Sequence, residues 1–123
     1  MKIAFTGHRP KAFANIRQEK VAFTASLFAE LLKIKHLQPF EFITGGALGV
    51  DTWAASIAID CGLEFTLALP FPHGVMTAKW KIEDSTKLLN HSLAAKQIVV
   101  IDTKFTWAAY QKRNEWMVNN CDL

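Results

Sequence analysis

The architecture of this chain follows from one stretch, Phe42-Ile43-Thr44-Gly45-Gly46-Ala47-Leu48-Gly49-Val50-Asp51-Thr52-Trp53. An apolar run typical of a buried strand ends in a glycine-rich turn, and a run with helical spacing begins directly after the turn. Glycines let a ligand approach the backbone, and the first turn of a helix carries N–H groups that have no partner inside the helix. The pattern predicts a strand-to-helix turn that can bind an anion such as phosphate. The alternative is a tight connection that binds nothing.

Strand and helix patterns alternate on both sides of this turn. Continuous apolar strands separated by helices predict an α/β fold, in which a mostly parallel sheet of about four strands is covered by helices on both faces. The predicted strands cover residues 2–6, 40–44, 63–69 and 97–101. The predicted helices cover residues 16–36, 50–61, 77–95 and 106–120. On the first helix the apolar face is formed by Phe23, Leu27, Leu31 and Ile34, widened by Phe28 and Leu32.

The composition limits the classes of function. The chain has 123 residues, half of them hydrophobic, which suits one domain with a sizeable core. The net charge of +3 comes from scattered lysines and arginines, so it favours anionic partners only mildly and does not form a nucleic-acid footprint. Cys61 and Cys121 have no zinc-site spacing, and we expect Cys61 to be a buried thiol.

The sequence predicts no metal site and no membrane partner. Its histidines lack metal-ligand spacing, and no apolar run approaches the length of a membrane span. The N-terminal run Met1–Phe5 is too short for a signal peptide, so we expect a cytoplasmic protein.

Three predicted turns should meet at the carboxyl ends of the parallel strands, where ligands bind in open α/β sheets. These turns are residues 6–10, 44–51 and 70–74. In the first turn, the planar guanidinium of Arg9 can hold a phosphate or carboxylate, and His8 can act as an acid, a base or a hydrogen-bond donor.

Two further polar residues have open roles. Asp51 falls in the first turn of the predicted helix, where it either stabilises the helix end or contacts a ribose. Arg113 lies among apolar neighbours in the last helix, and it either reaches the site or forms a buried ion pair with Glu115 or Asp51.

We expect the four tryptophans to pack in or beside the core, with Trp80 the best placed of them to stack on a base.

Four separated motifs together resemble a known family. They are Thr6-Gly7-His8-Arg9-Pro10, Ile43 through Ala55, Ala68-Leu69-Pro70-Phe71, and Tyr110 with Arg113-Asn114-Glu115-Trp116-Met117-Val118. In this order they resemble the YpsA-like family of the SLOG superfamily, which also contains DprA and the LOG phosphoribohydrolases.

The resemblance implies a Rossmann-like three-layer sandwich that binds a nucleotide or nucleotide-sugar derivative. Its phosphate turn would contain Gly45, Gly46 and Gly49. The full set of expected ligand-binding residues is Thr6, Gly7, His8, Arg9, Thr44, Gly45, Gly46, Ala47, Gly49, Asp51, Pro70, Phe71, Arg113 and Asn114. Asp51 and Glu115 are the candidates for a catalytic role, and the sequence leaves open whether the protein is an enzyme.

The chain also departs from its relatives. They usually continue past Asp122 and Leu123 into another strand and a second glycine-rich turn. The chain is then either a naturally short version or a truncated product. We expect a single domain, residues 1–123, that lacks this strand and forms a homo-oligomer through the open sheet edge.

Three functions fit the resemblance. The first is binding of an ADP-ribose-, NAD- or AMP-like ligand by a sensor or sequestering module. The second is N-glycosidic hydrolysis of a nucleotide, although the glycine motif of the LOG enzymes is not matched because Thr44 replaces its proline. The third is DprA-like binding of single-stranded DNA, which the modest charge supports less well than a small nucleotide.

Overall fold

A computed structural model of the chain describes residues 1–5 and 15–123. The strands are β1 (Lys2–Ala4), β2 (Glu41–Thr44), β3 (Glu64–Leu69) and β4 (Gln97–Val100). The helices are α1 (Ile16–Lys33), α2 (Val50–Asp60), α3 (His73–Met76), α4 (Ile82–Ala94) and α5 (Trp107–Asn120), and a 3₁₀ turn covers Lys35–Leu37.

The four strands form one sheet in the order β1-β2-β3-β4, and all three pairings are parallel. In register, Ile3 lies beside Phe42 and Phe42 beside Phe65. The alternation of strands and helices therefore predicted the fold class correctly, and the α/β three-layer sandwich is confirmed.

Successive residues of the central strands point to opposite faces of the sheet. On one face, Phe42, Phe65 and Leu67 belong to the main core cluster, which includes side chains from α2 and α4. On the other face, Ile43 and Ala68 pack against Met117 of α5. Thus α5 covers the face opposite α2, and both faces of β2 and β3 are buried.

The last residues of the sequence lie along the outer edge of β1. The amide of Leu123 donates to the carbonyl of Lys2 over 3.1 Å, and the amide of Ala4 donates to the carbonyl of Leu123 over 2.8 Å. This pair of bonds is the pattern of a parallel bridge between Leu123 and Ile3. The side chain of Asp122 accepts a further hydrogen bond from the amide of Lys2 at 2.8 Å.

Several details differ from the sequence predictions. The short helix α3 occupies part of the predicted 70–74 loop, and the next helix begins at Ile82 rather than 77 because Lys81 has extended backbone angles. Phe28 and Leu32 are exposed, so the buried face of α1 is narrower than predicted. Cys61 is exposed because it follows the last turn of α2, so the expectation of a buried thiol was wrong.

Helix α5 buries one narrow face. Ala109, Arg113 and Met117 are its buried residues, spaced four apart, whereas Trp107 and Asn114 are exposed.

None of the described helices has the length and apolar character that crossing a membrane requires.

A buried histidine joins α2 to α4. His91 is 6% exposed, and its Nε2 lies 3.3 Å from the hydroxyl oxygen of Ser56. Burial lowers the pKa of His91 below its ordinary value, and the nearby charge of Lys87 lowers this pKa further. The neutral imidazole is therefore the form that the folded protein favours.

This burial predicts a loss of stability in mild acid. The unfolded chain protonates His91 near pH 6.5, whereas the folded chain resists protonation. His91 thus contributes its full stability above about pH 6.5, and the contribution falls as the pH drops through the lowered folded-state pKa. The slope from this one group is at most about 1.4 kcal/mol per pH unit. Urea unfolding between pH 7.5 and 5 should show a shallower pH dependence in His91→Gln than in the wild type.

His36→Gln is the matched control, because His36 is exposed in the 3₁₀ turn. Equal pH slopes for His91→Gln and the wild type would contradict the assignment.

Candidate functional site

The glycine-rich turn connects the carboxyl end of β2 to the start of α2. Gly46 and Gly49 have φ angles of 75° and 91°, in the left-handed region that favours glycine. Gly49 is the N-cap residue of α2, and no side chain caps this helix end. The backbone path therefore requires glycine at positions 46 and 49, whereas Gly45, the remaining glycine of the turn, has no positive φ angle.

Three hydrogen bonds, each involving one side chain, hold the turn in shape. The buried hydroxyl of Thr44 donates to the carbonyl of Asp51 over 2.9 Å. The carboxylate of Asp51 accepts from the amide of Ala47 at 3.2 Å, and the hydroxyl of Thr52 donates to the carbonyl of Ala47 over 3.0 Å. The turn is thus preorganised by its own side chains before any ligand arrives.

Arg113 reaches across from α5 to this turn. Its Nη1 donates to the carbonyl oxygen of Gly45 over 2.8 Å, and its Nε donates to Oδ1 of Asn114 over 2.8 Å. Only 8% of the Arg113 residue is exposed. Arg113 thus contacts the backbone of the turn, and its contact with a ligand stays a prediction.

Gly45 is needed because Arg113 occupies the space where a side chain would lie. A Cβ at position 45 would overlap the Nη1 atom of Arg113 and would lie 2.8 Å from its Cζ and 3.0 Å from Oδ2 of Asp51. The guanidinium of Arg113 and the carboxylate of Asp51 therefore both lie close to Gly45, and a side chain at this position would meet them.

The turn also carries hydrogen-bond donors at the start of α2. No side chain caps the start of α2, and the first amides of a helix have no partner within it. Such groups at a helix N-terminus, together with the positive end of the helix dipole, attract anions. Leu48 is half-buried, so the turn has a surface that a ligand can contact.

An aromatic cluster extends from the carboxyl end of β3 to α5. It contains Phe71, Phe105, Trp107 and Tyr110, with centroid separations of 5.2 Å for Phe71–Phe105, 4.9 Å for Phe105–Trp107 and 6.1 Å for Trp107–Tyr110. The guanidinium carbon of Arg113 lies 5.9 Å from the centroid of the Tyr110 ring. The cluster is therefore connected to the glycine turn through Arg113.

A crevice opens at the carboxyl end of β1. It has a volume of about 280 Å³ and lies between Ala4 and Phe5 on one side and Asn114 and Met117 of α5 on the other. A larger depression of about 410 Å³ lies at the opposite end of β3, beside Lys96 and Glu64. Lys96 is already paired at 3.0 Å with both Glu64 and Glu41, so its charge is not available to an anion, and we favour the carboxyl-end edge as the site.

The structure brings together part of the predicted ligand-binding set. Gly45, Ala47, Asp51 and Arg113 surround the turn, and Asn114 adjoins them through its contact with Arg113. The residues buried beneath this edge are Thr44, Pro70 and Phe71. Those that lie outside the described residues are Thr6, Gly7, His8 and Arg9.

The catalytic candidates do not lie together. Asp51 is at the turn, whereas Glu115 is exposed on α5 and accepts a hydrogen bond from Gln111 at 3.3 Å. Within residues 1–5 and 15–123, no group of three His, Cys, Asp or Glu side chains could hold a metal ion.

The prediction for the tryptophans was right for Trp53, which is buried, and wrong for Trp107, which is 79% exposed. Trp80 packs against the main core cluster. The spacing of Phe105, Trp107 and Tyr110 directly after β4 is the sequence signal that could have indicated the aromatic cluster, because that strand end faces the predicted site.

Gly45→Ala tests the contact between the turn and α5. The added methyl group would displace Arg113, so we expect a loss of about 1–3 kcal/mol in the free energy of unfolding, measured by urea denaturation. Gly74→Ala is the control, because a Cβ at Gly74 meets nothing within 4 Å. Combining Gly45→Ala with Arg113→Met should cost less than the sum of the single changes. Equal stability of Gly45→Ala and Gly74→Ala would contradict this interpretation.

Comparison with known proteins identifies a family. No curated protein sequence matches the chain. The family model YpsA, described as the YspA SLOG family, matches residues 3–123. The chain therefore belongs to the YspA SLOG family, and this membership indicates a nucleotide-related function.

Proposed function

We propose that the protein binds a nucleotide or nucleotide-sugar derivative, such as AMP, ADP-ribose or NAD, with a phosphate on the glycine-rich turn. The observation that carries this proposal is the buried guanidinium of Arg113, fixed at 2.8 Å to the carbonyl of Gly45. It puts a positive charge against a turn that leads into the N-terminus of α2, the positive end of the helix dipole. Both features favour an anionic group at the same place.

Binding is better supported than catalysis. Hydrolysis of an N-glycosidic bond commonly uses a carboxylate that stabilises the developing cation or activates water. Asp51 could supply one, but its Oδ2 already accepts a hydrogen bond from the amide of Ala47. Glu115 points along the exposed side of α5, toward Gln111. We therefore propose a sensor or a sequestering protein.

A panel of ligands tests this proposal by thermal denaturation. AMP, ADP-ribose and NAD, compared with adenosine, should separate phosphate recognition from base recognition. A ligand at a hundred times its Kd stabilises the native state by about 2.7 kcal/mol, so the Tm should rise for the phosphorylated compounds. Chromatography of the same samples should show no released base. Release of base that is lost in Asp51→Ala would instead support the hydrolase.

A pair of variants tests whether the phosphate lies on the turn. Leu48→Glu puts a negative charge on the surface of the turn and should abolish binding of AMP through repulsion. Leu48→Gln has nearly the same shape without the charge, so it should bind AMP as the wild type does. Calorimetric titration at low ionic strength compares the two. Equal affinities of both variants for AMP would show that the phosphate binds elsewhere.

A further inference from the structure

We propose that Phe105 and Trp107, supported by Tyr110, form a platform on which the base of the bound nucleotide stacks. This inference rests on the proposed function, because it assigns the base to a surface beside the phosphate turn. Trp107 is 79% exposed and Phe105 is 52% exposed. An apolar ring system of this size gains free energy when a planar ring covers it.

The cluster contains more aromatic surface than the core requires. Phe71 is fully buried, and the ring of Phe105 lies 5.2 Å from it at a tilt of 31°, so Phe105 closes this end of the core. Trp107 lies beyond Phe105, edge to face at 80°, and most of its surface remains in solvent. Packing against Phe71 therefore accounts for one face of the Phe105 ring. It does not account for Trp107, whose ring is mostly exposed.

The loop that carries these rings is held in place. The amide of Asp102 donates to the carbonyl of Pro70 over 3.1 Å, and Asp102 Oδ1 accepts from the amide of Thr103 at 2.8 Å. The hydroxyl of Thr106 accepts from the amide of Ala109 at 3.1 Å and so caps α5 directly before Trp107. A fixed loop reduces the entropy lost when a ring binds.

The platform lies beside the proposed phosphate position. Tyr110 contacts Trp107 at 6.1 Å between centroids, and the guanidinium carbon of Arg113 lies 5.9 Å from the Tyr110 ring. The same guanidinium bonds to the carbonyl of Gly45 in the turn. A cationic group and an exposed stack of aromatic rings, joined by direct contacts, match the two ends of a nucleotide. Aromatic side chains stack on any base, so the platform favours ligands that carry a base but does not discriminate among the bases.

The test compares AMP with ribose 5-phosphate, which lacks the base, by calorimetric titration. Trp107→Ala should weaken binding of AMP by about five- to 150-fold and leave binding of ribose 5-phosphate unchanged. Trp107→Phe should restore most of the affinity for AMP because it retains a stacking ring. Phe105→Ala is a second variant that should also weaken AMP selectively. Phe28→Ala, which removes an exposed aromatic ring from α1, is the matched control and should bind both compounds normally.

Each other result would overturn the inference in a recognisable way. Wild-type affinity of Trp107→Ala for AMP would reject the platform and leave the proposed function standing. Equal weakening for AMP and ribose 5-phosphate would mean that Trp107 acts on the turn. Failure of the wild-type protein to bind AMP, ADP-ribose, NAD or ribose 5-phosphate would reject both proposals. Salt-sensitive binding of a single-stranded oligonucleotide in place of AMP would assign the rings to nucleic acid.

Discussion

The site depends on one buried contact, the hydrogen bond from Arg113 to the carbonyl of Gly45. A buried guanidinium is costly unless its donors are satisfied. The carbonyl at the end of β2 and the side chain of Asn114 satisfy two of them. This requirement fixes the rotation of α5 on the sheet, excludes a side chain at position 45, and brings the aromatic rings at the start of α5 beside the turn. The positions of several candidate site residues therefore follow from the need to satisfy the charge of Arg113.

The same contact underlies the proposal that the site binds its ligand rather than transforming it. Its polar groups are engaged in holding the turn: Thr44 and Asp51 bond within it, and Arg113 bonds to its backbone. For the ligand that we propose, this edge supplies the start of α2, the positive charge of Arg113 and aromatic surface. These features would bind an anion attached to a planar ring, and none of them would break a bond in the ligand.

The sequence predicted the class of the fold, the order of its elements and the glycine turn, because each depends on local spacing. Arg113 stood out as a polar residue among apolar neighbours, and the structure shows that it bonds to the carbonyl of Gly45 in the turn. Exposure was harder to predict. Trp107 and Leu32 are apolar residues on helices, yet whether a neighbour covers them depends on how the helices cross the sheet, which the spacing of apolar residues does not specify. The exposure of Cys61, which lies just beyond the end of α2, was missed for the same reason.

The pairing of Leu123 with β1 has a consequence for how the protein folds and opens. β1 has three residues, and its outer edge is bonded only by Asp122 and Leu123 among the described residues, across a separation of about 120 positions. Contacts between such distant parts of a chain form late, because a long loop must close first. We therefore expect β1 and the end of α5 to exchange their amide hydrogens together, as one cooperative unit that opens before the β2–β3 core. Because α5 also carries Arg113, we expect β1 and the end of α5 to pair in the same step in which the site forms.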